Sequence, residues 1–289
     1  MNVSESKIFD SLIAQKCIIP NDFLGRSLQL WPKQPAYALL KAIEAYHISQ
    51  FLDGDSQICD IGIGDGKFAK LLDLKINFGL DIDSNKVNHA KQLNVYDELI
   101  VCDITNDSSI QKNYYRKFDI VFSISVLEHI TNIEHALMNI SSLLSNQGKL
   151  ILIIPTENKL TNLFYPNYLK NLGKKKAAIR YIENFSELYK HYSTPKIDWY
   201  YSNLKKIGFK HIDIAYFERK ETSYCIDIFD RERFRIINMV TPNSPLFLPL
   251  KNLTLFLLYS FFEELYIKEQ KKSQTLNNCS ECIISASKC

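Results

Sequence analysis

Glycine is scarce in this chain, with nine in 289 residues, and so are proline (nine) and tryptophan (two). Strong charge of either sign is also missing, because 35 basic residues nearly balance 32 acidic ones for a formal net charge of +3. A dedicated nucleic-acid binder carries a concentrated basic face, so nucleic acid is not expected as a partner. No apolar run reaches the ~20 residues that a membrane span needs. The stretch "LPLKNLTLFLLYSFFEELYI", Leu248 to Ile267, comes nearest and is broken by Glu263 and Glu264. Its expected place is a buried helix of an inserted subdomain. The segment from about 246 to 267 is also the candidate for peripheral membrane contact or for gripping a lipid tail.

Other absences narrow the class. The opening "MNVSESKIFDSLIAQK" has no basic region leading into an apolar stretch and a small-residue cleavage site, so it is not read as a secretory leader. Seven cysteines (Cys17, Cys59, Cys102, Cys225, Cys279, Cys282 and Cys289) form an odd set with no pairing pattern. That suits a reducing compartment, and the cytoplasm is the expected location. "CSEC" with Cys289 lacks a fourth zinc ligand, and no H-x-E, H-E-x-x-H or C-x-x-H motif occurs. No catalytic metal is expected. Internal repeats and low-complexity tracts are lacking too.

What is present is an ordinary globular composition, 46% hydrophobic and 23% charged, in a chain long enough for one large domain. From about Gln57 to Ile154 short apolar strands alternate with helix-period segments: "QICDIG", "GKFAKLLDL", "INFGLDI", "SNKVNHAKQL", "DELIVCDI", "FDIVFSIS", "NIEHALMNISSLL", "GKLILIIP". Such alternation predicts an α/β fold with a parallel sheet covered on both faces. A helix over "PAYALLKAIEAYHISQFL" should precede it. After it, "KIDWYYSNLKKIG" reads as a helix closing at Gly208, followed by strands "FKHIDIAYF" and "ECIISASK".

Three of the nine glycines crowd into "DIGIGDG", at Gly62, Gly64 and Gly66, between a strand and a helix. Glycine allows positive φ and lets a ligand approach bare backbone, and a helix N-terminus beyond it favours an anionic or nucleotide-like ligand. The spacing is G-x-G-x-G, with Lys67 where the dinucleotide fingerprint needs its last glycine, and there is no phosphate-loop motif. Asp60 precedes the turn. Asp81 ends the second strand, where a carboxylate can accept from a ribose diol. Asp103 ends the third, where it can accept from an adenine amine, with Ile82 and Ile104 placed to pack the ring faces.

These motifs, in this order, resemble the class I S-adenosylmethionine-dependent methyltransferases of small-molecule type: "CDIGIGDGKFAKLL", "GLDID", "YDELIVCDI", "FDIVFSISVLEHI", "LLSNQGKLILIIP" and "WYYSNLKKIGFKHIDI", over roughly Gln57 to Tyr216. The resemblance implies a Rossmann-like, seven-stranded, mostly parallel sheet sandwiched by helices, with S-adenosylmethionine as cofactor and S-adenosylhomocysteine as product. Asp60, Gly62, Gly64 and Gly66 would shape the methionine end, Asp81 would hold the ribose and Asp103 the adenine amine. Ser123 and Ser125 would line the gap between sulfonium and acceptor. Where members that methylate base amines carry an Asn/Asp-Pro-Pro-aromatic run, this chain has "SISV", which speaks against a base-amine acceptor. The last two strands would be antiparallel, with a mostly helical insertion between them. The expected divisions are 1–56, an N-terminal helical segment; 57–217, the cofactor-binding core with a lid at about 156–194; 218–278, the insertion; and 279–289, the final strand.

A hydroxyl acceptor benefits from a general base. His129, placed on a helix after the fourth strand, and His191, beside the lid, are the candidates, with Glu128 a third. The lid interleaves Lys159, Lys170, Lys174, Lys175, Lys176, Arg180 and Lys190 with aromatic residues. That pattern favours O-methylation of a small or glycosylated, lipid-linked or free, acceptor. The alternatives are a non-catalytic cofactor-binding scaffold and a nicotinamide-dependent oxidoreductase, against which the glycine spacing speaks.

Overall fold

The computed structural model describes residues 22–106, 110, 112–190, 194–229, 248–270 and 278–288, with side chains from 259 onward in the 248–270 segment. Seven strands form one sheet: β1 (Ile58–Ile61), β2 (Ile76–Asp81), β3 (Tyr96–Val101), β4 (Phe118–Ile124), β5 (Leu144–Pro155), β6 (His211–Arg219) and β7 (Cys279–Ser287). Their spatial order is β3-β2-β1-β4-β5-β7-β6, parallel up to β5, with β7 antiparallel to both neighbours. This is the expected Rossmann-like, mostly parallel architecture.

The unbroken apolar strands follow from burial on two faces. Ile120 and Phe122 of β4 and Ile151 and Ile153 of β5 point into one core. Their neighbours Val121, Leu150, Leu152 and Ile154 point into the other. A two-residue period therefore feeds both layers, and each large side chain removed from water contributes roughly 1.5–3 kcal/mol.

On the first face lie α1 (Phe23–Leu30), α2 (Pro35–Ser49), α3 (Lys67–Leu72) and α4 (Ser84–Gln92). α1 is capped by Asp22, which accepts from the Gly25 N–H, and α2 starts on a proline whose missing N–H costs nothing there. On the second face lie α5 (Ile133–Leu143) and α8 (Ile197–Ile207). Gly208 closes α8 at φ 105°, as its sequence predicts. α6 (Phe164–Asn171) and α7 (Lys175–Leu188) form a helical hairpin above the carboxyl ends of the strands, next to α9 (Lys220–Ile228). α10 (Leu248–Glu269) packs on α2 and β6, and Phe262, Leu265 and Tyr266 are buried there while Phe261 and Ile267 stay exposed. Among the described residues no helix is long and apolar enough to cross a membrane.

Candidate active site

The carboxyl ends of β1 to β4 open on one cleft of about 1080 Å³. Its cofactor-sized half is made mostly of backbone. The Gly62 and Ile63 N–H groups donate to the Leu80 carbonyl at 2.8 and 3.2 Å, which ties the turn after β1 to the end of β2. Gly64 adopts φ +55°, and a Cβ added there would meet nothing within 4 Å, so its backbone lies bare to the cleft. Gly62, at φ +80°, has no such room: a Cβ would stand 2.4 Å from Val126. Gly66 departs from its expected place on the ligand side. It caps α3, a Cβ there would meet Ala90 of α4 at 2.9 Å, and it is not part of the cleft wall.

Asp81 is buried, and each of its oxygens already accepts one backbone N–H, from Gly64 at 2.9 Å and from Asp83 at 2.9 Å. Each keeps a lone pair for a ligand. Asp103 lines the cleft and accepts on Oδ1 from the Thr105 N–H and hydroxyl at 2.9 and 2.7 Å. Ile82, 67% exposed, and buried Ile104 stand on the same wall. Asp60 is buried and accepts from the Tyr96 hydroxyl at 2.7 Å. Burial pushes its carboxyl up to about 7, against the lowering effect of that hydrogen bond, and the nearby Asp81 charge adds to the rise.

Ser123 and Ser125 part company. β4 ends at Ile124, and Ser125 turns the chain at φ 52°, a left-handed conformation that costs a non-glycine residue about 1 kcal/mol or more. Ser125 thus faces the cleft, whereas Ser123 is buried with its hydroxyl donating to the Ile61 carbonyl at 3.2 Å, behind the wall.

The inner wall beyond Ser125 is a cluster of charged side chains, of which the sequence pointed to Glu128 as a candidate base and Lys159 as a lid residue but not to their neighbours Lys41, Glu44, Glu218 and Glu281. Lys41 and Glu44 of α2 pair at 2.6 Å, and the second Glu44 oxygen accepts from the Ser125 hydroxyl at 2.9 Å. Burial alone would lower the Lys41 ammonium, but the Glu44 charge outweighs it and raises it. Lys159, after β5, donates to Glu218 at 2.6 Å and Glu281 at 2.8 Å. The second Glu218 oxygen accepts from the Ser223 hydroxyl at 2.9 Å. Glu128 is buried in the turn after β4, and burial raises its carboxyl to about 8. Two buried carboxyl oxygens here, Glu128 Oε2 and Glu281 Oε2, accept no hydrogen bond from the described residues. A signal existed for both halves of the cluster: lysine and glutamate three apart on an otherwise apolar α2, and a glutamate inside the central strand β7, where an unpaired charge is costly.

His129 sits on a single 3-10 turn, Leu127–His129, rather than on the expected helix, because the helical period resumes only at Ile133. Its Nδ1 lies 3.1 Å from the Lys190 carbonyl, an acceptor, so Nδ1 carries the hydrogen and Nε2 is the proton-accepting nitrogen. Burial lowers its pKa. His191, the other candidate base, lies outside the described residues. Leu163, Phe185, Leu188 and Tyr189, in and beside the α6–α7 hairpin, line the cleft from one side, while Trp31 and Gln34 between α1 and α2 and Tyr37 of α2 line it from the other. Lys170, Lys174, Lys175, Lys176 and Arg180 are exposed and outside it, so of the seven basic lid residues only Lys159 and Lys190 line the cleft. Asp227 of α9 holds the hairpin, accepting from the Tyr165 N–H at 2.9 Å and from the Tyr181 hydroxyl. Among the described residues no three His, Cys, Asp or Glu side chains converge as metal ligands.

Known proteins match this arrangement. Residues 59–152 match the family model described as a methyltransferase domain. A viral protein, "Putative methyltransferase 235L" of Invertebrate iridescent virus 6, is 27% identical over 167 residues; the match takes in 55% of this chain and 59% of that protein's length. Among solved structures, a Thermotoga maritima S-adenosylmethionine-dependent methyltransferase described as a "possible histamine N-methyltransferase" superposes with a TM-score of 0.52 at 16% identity, over 88% of this chain and 90% of that one. Phosphoethanolamine N-methyltransferase 2 of Haemonchus contortus, in complex with S-adenosyl-L-methionine, gives 0.50 at 17% identity, over 85% and 52%. The α/β core of this chain thus matches the methyltransferase-domain model over residues 59–152 and shares its fold with solved S-adenosylmethionine-dependent methyltransferases.

Proposed function

We propose that the chain transfers a methyl group from S-adenosylmethionine to a small polar acceptor held in the same cleft. One juxtaposition carries this: bare backbone at Gly64 facing open space, flanked by the strand-end carboxylates Asp81 and Asp103. Those residues fit the cofactor. Asp81 would accept from the ribose hydroxyls with its remaining lone pairs, Asp103 from the adenine amine, and Ile82 and Ile104 would pack the ring. Asp60 and the turn through Gly62 and Gly64 would enclose the methionine end, where a cationic amino group favours the ionised form of Asp60. When bound, the cofactor supplies an activated methyl group, so placing the acceptor is the protein's main task. Phe185, Leu188 and Tyr189 would exclude water from it.

For the acceptor, a hydroxyl of a small or glycosylated molecule, lipid-linked or free, is supported by the Phe185 and Tyr189 rings on the cleft wall and by His129, whose Nε2 is suited to take a proton. An amine is favoured instead by the two unpartnered carboxylate oxygens of the inner wall. Isothermal titration with S-adenosylhomocysteine tests the reading common to both. Saturable binding is expected in the natural chain, weakened at least tenfold in Asp81→Asn, which keeps only one carbonyl oxygen. No binding to the natural chain refutes the proposal. Binding without turnover on any acceptor would leave a scaffold on the same fold.

A further inference from the structure

The inner wall holds more carboxyl groups than cations to pair with them. Four buried carboxyls, Glu44, Glu128, Glu218 and Glu281, face two ammonium groups, Lys41 and Lys159. Glu44 and Glu218 have partners on both oxygens. Glu281 uses one oxygen on Lys159 and leaves Oε2 with none, and Glu128 Oε2 has none either. Both residues are at least 96% buried, at 4% and 3% exposure, and both line the cleft. A buried carboxylate without a donor costs several kcal/mol, and a fold does not keep two in one wall unless something satisfies them. Neither lysine can turn to do so, since Lys41 is engaged by Glu44 and Lys159 is divided between two glutamates.

A partner that brings hydrogen-bond donors together with positive charge would satisfy both oxygens and favour the ionised carboxylates. Water brings donors only. A metal ion would ask for a further ligand, and no set of three His, Cys, Asp or Glu converges among the described residues. An ammonium group supplies three donors and one positive charge in a compact head. We propose that the inner wall is a subsite for a protonated amine, bound by Glu128 Oε2 and Glu281 Oε2, so that the acceptor molecule carries a primary or secondary amino group. This rests on the methyltransferase reading of the cleft and names its substrate class. Phe185 and Tyr189, across the cleft on α7 and just beyond it, would cover the apolar part of such a molecule.

Glu128 faces Lys41 and Glu44 from α2, Glu281 from β7 and the Tyr200 hydroxyl from α8, and burial holds it protonated up to about 8. An entering ammonium favours the ionised form, so binding near neutral pH should expel the proton. The probes are benzylamine, phenethylamine and cyclohexylmethylamine, each beside the alcohol of the same skeleton, titrated calorimetrically into protein saturated with S-adenosylhomocysteine. Amines are expected to bind at least tenfold more tightly than their alcohols. At about pH 6.5 binding should release close to one proton, seen by repeating the titration in buffers of different ionisation enthalpy, and at about pH 9 far less. Glu128→Gln and Glu281→Gln should each remove the preference while S-adenosylhomocysteine affinity stays within about twofold. The proton measurement needs no variant, so it decides the matter if either substitution fails to fold. Equal or tighter binding of the alcohols, no binding of any amine, or proton release unchanged across this range overturns the subsite. Loss of S-adenosylhomocysteine binding in the natural chain overturns instead the reading on which it rests.

Discussion

Replacing Glu128 by glutamine should reverse the pH dependence of stability at one buried site. The side chain is 4% exposed in the turn after β4, and burial, with help from the Glu281 and Glu44 charges and against that of Lys41, sets its carboxyl at about 8 rather than 4.5. The folded chain therefore holds this proton more tightly than the unfolded chain. Its contribution to stability is full below about pH 4.5, declines as pH rises, and is gone by about pH 8. The roughly 3.5 pH units between the two values, at about 1.36 kcal/mol each, amount to nearly 5 kcal/mol. Glutamine has the same shape and no proton to lose, but its amide brings a buried N–H pair that costs about 1–3 kcal/mol if unpaired. The variant should be less stable than the natural chain at pH 5 and more stable at pH 9, by roughly 2–4 kcal/mol. Urea unfolding at pH 5, 7 and 9 and constant ionic strength measures this as a crossing of the two midpoint curves. Groups that titrate over this range without facing Glu128, Asp60 among them, act equally in both proteins and cancel in the difference. Parallel curves would refute the placement of Glu128 as a buried carboxyl whose proton the fold holds.

Gly64→Ala should fold, losing about 1 kcal/mol to the positive φ, yet bind S-adenosylhomocysteine at least tenfold more weakly, because the new methyl enters open cleft rather than protein; unaltered affinity by calorimetry would mean that no ligand approaches there. Asp227→Ala removes the acceptor of the Tyr165 N–H and the Tyr181 hydroxyl, worth about 1.5–3 kcal/mol together. Hydrogen exchange over α6 and α7 should quicken by roughly tenfold or more while β4 and β5 stay protected, and equal quickening everywhere would show that Asp227 supports the whole fold instead of the lid.

The proposed cofactor half of the cleft was legible in the sequence as a set of neighbours because short segments build it. Gly62, Gly64, Asp81 and Asp103 follow one another at strand ends, and a strand end followed by glycine or aspartate is visible in a linear pattern. Ser123 misled because alternation along β4 puts it level with Ser125, and only the positive φ at Ser125 separates them. Gly66 misled because a glycine needed for helix packing and one needed for a ligand look alike. The proposed acceptor half was hidden for a different reason. Lys41, Glu128, Lys159, Glu218 and Glu281 come from five separate segments and meet only because β7 inserts antiparallel between β5 and β6. Apart from Glu128, which stood as a candidate base, each taken alone passes for a surface charge. The basic lid drew attention instead, yet most of its lysines face solvent.

Strain and unbalanced charge occur together in this wall, which says something about its purpose. Ser125 and Glu218 are both non-glycine residues at positive φ, 52° and 56°, and both border the cleft. Each costs of the order of 1–3 kcal/mol. Ser125 holds the Glu44 carboxylate, and Glu218 holds Lys159. The strained backbone thus places the groups that fix the two lysines, and the fixed lysines leave Glu128 Oε2 and Glu281 Oε2 without donors. Relaxing either residue would free a lysine to neutralise the wall. Stability alone would favour that outcome, and the dense double core of β4, β5 and β7 is what tolerates the opposite. A pocket kept short of positive charge by its own backbone is pre-organised for a guest that brings it.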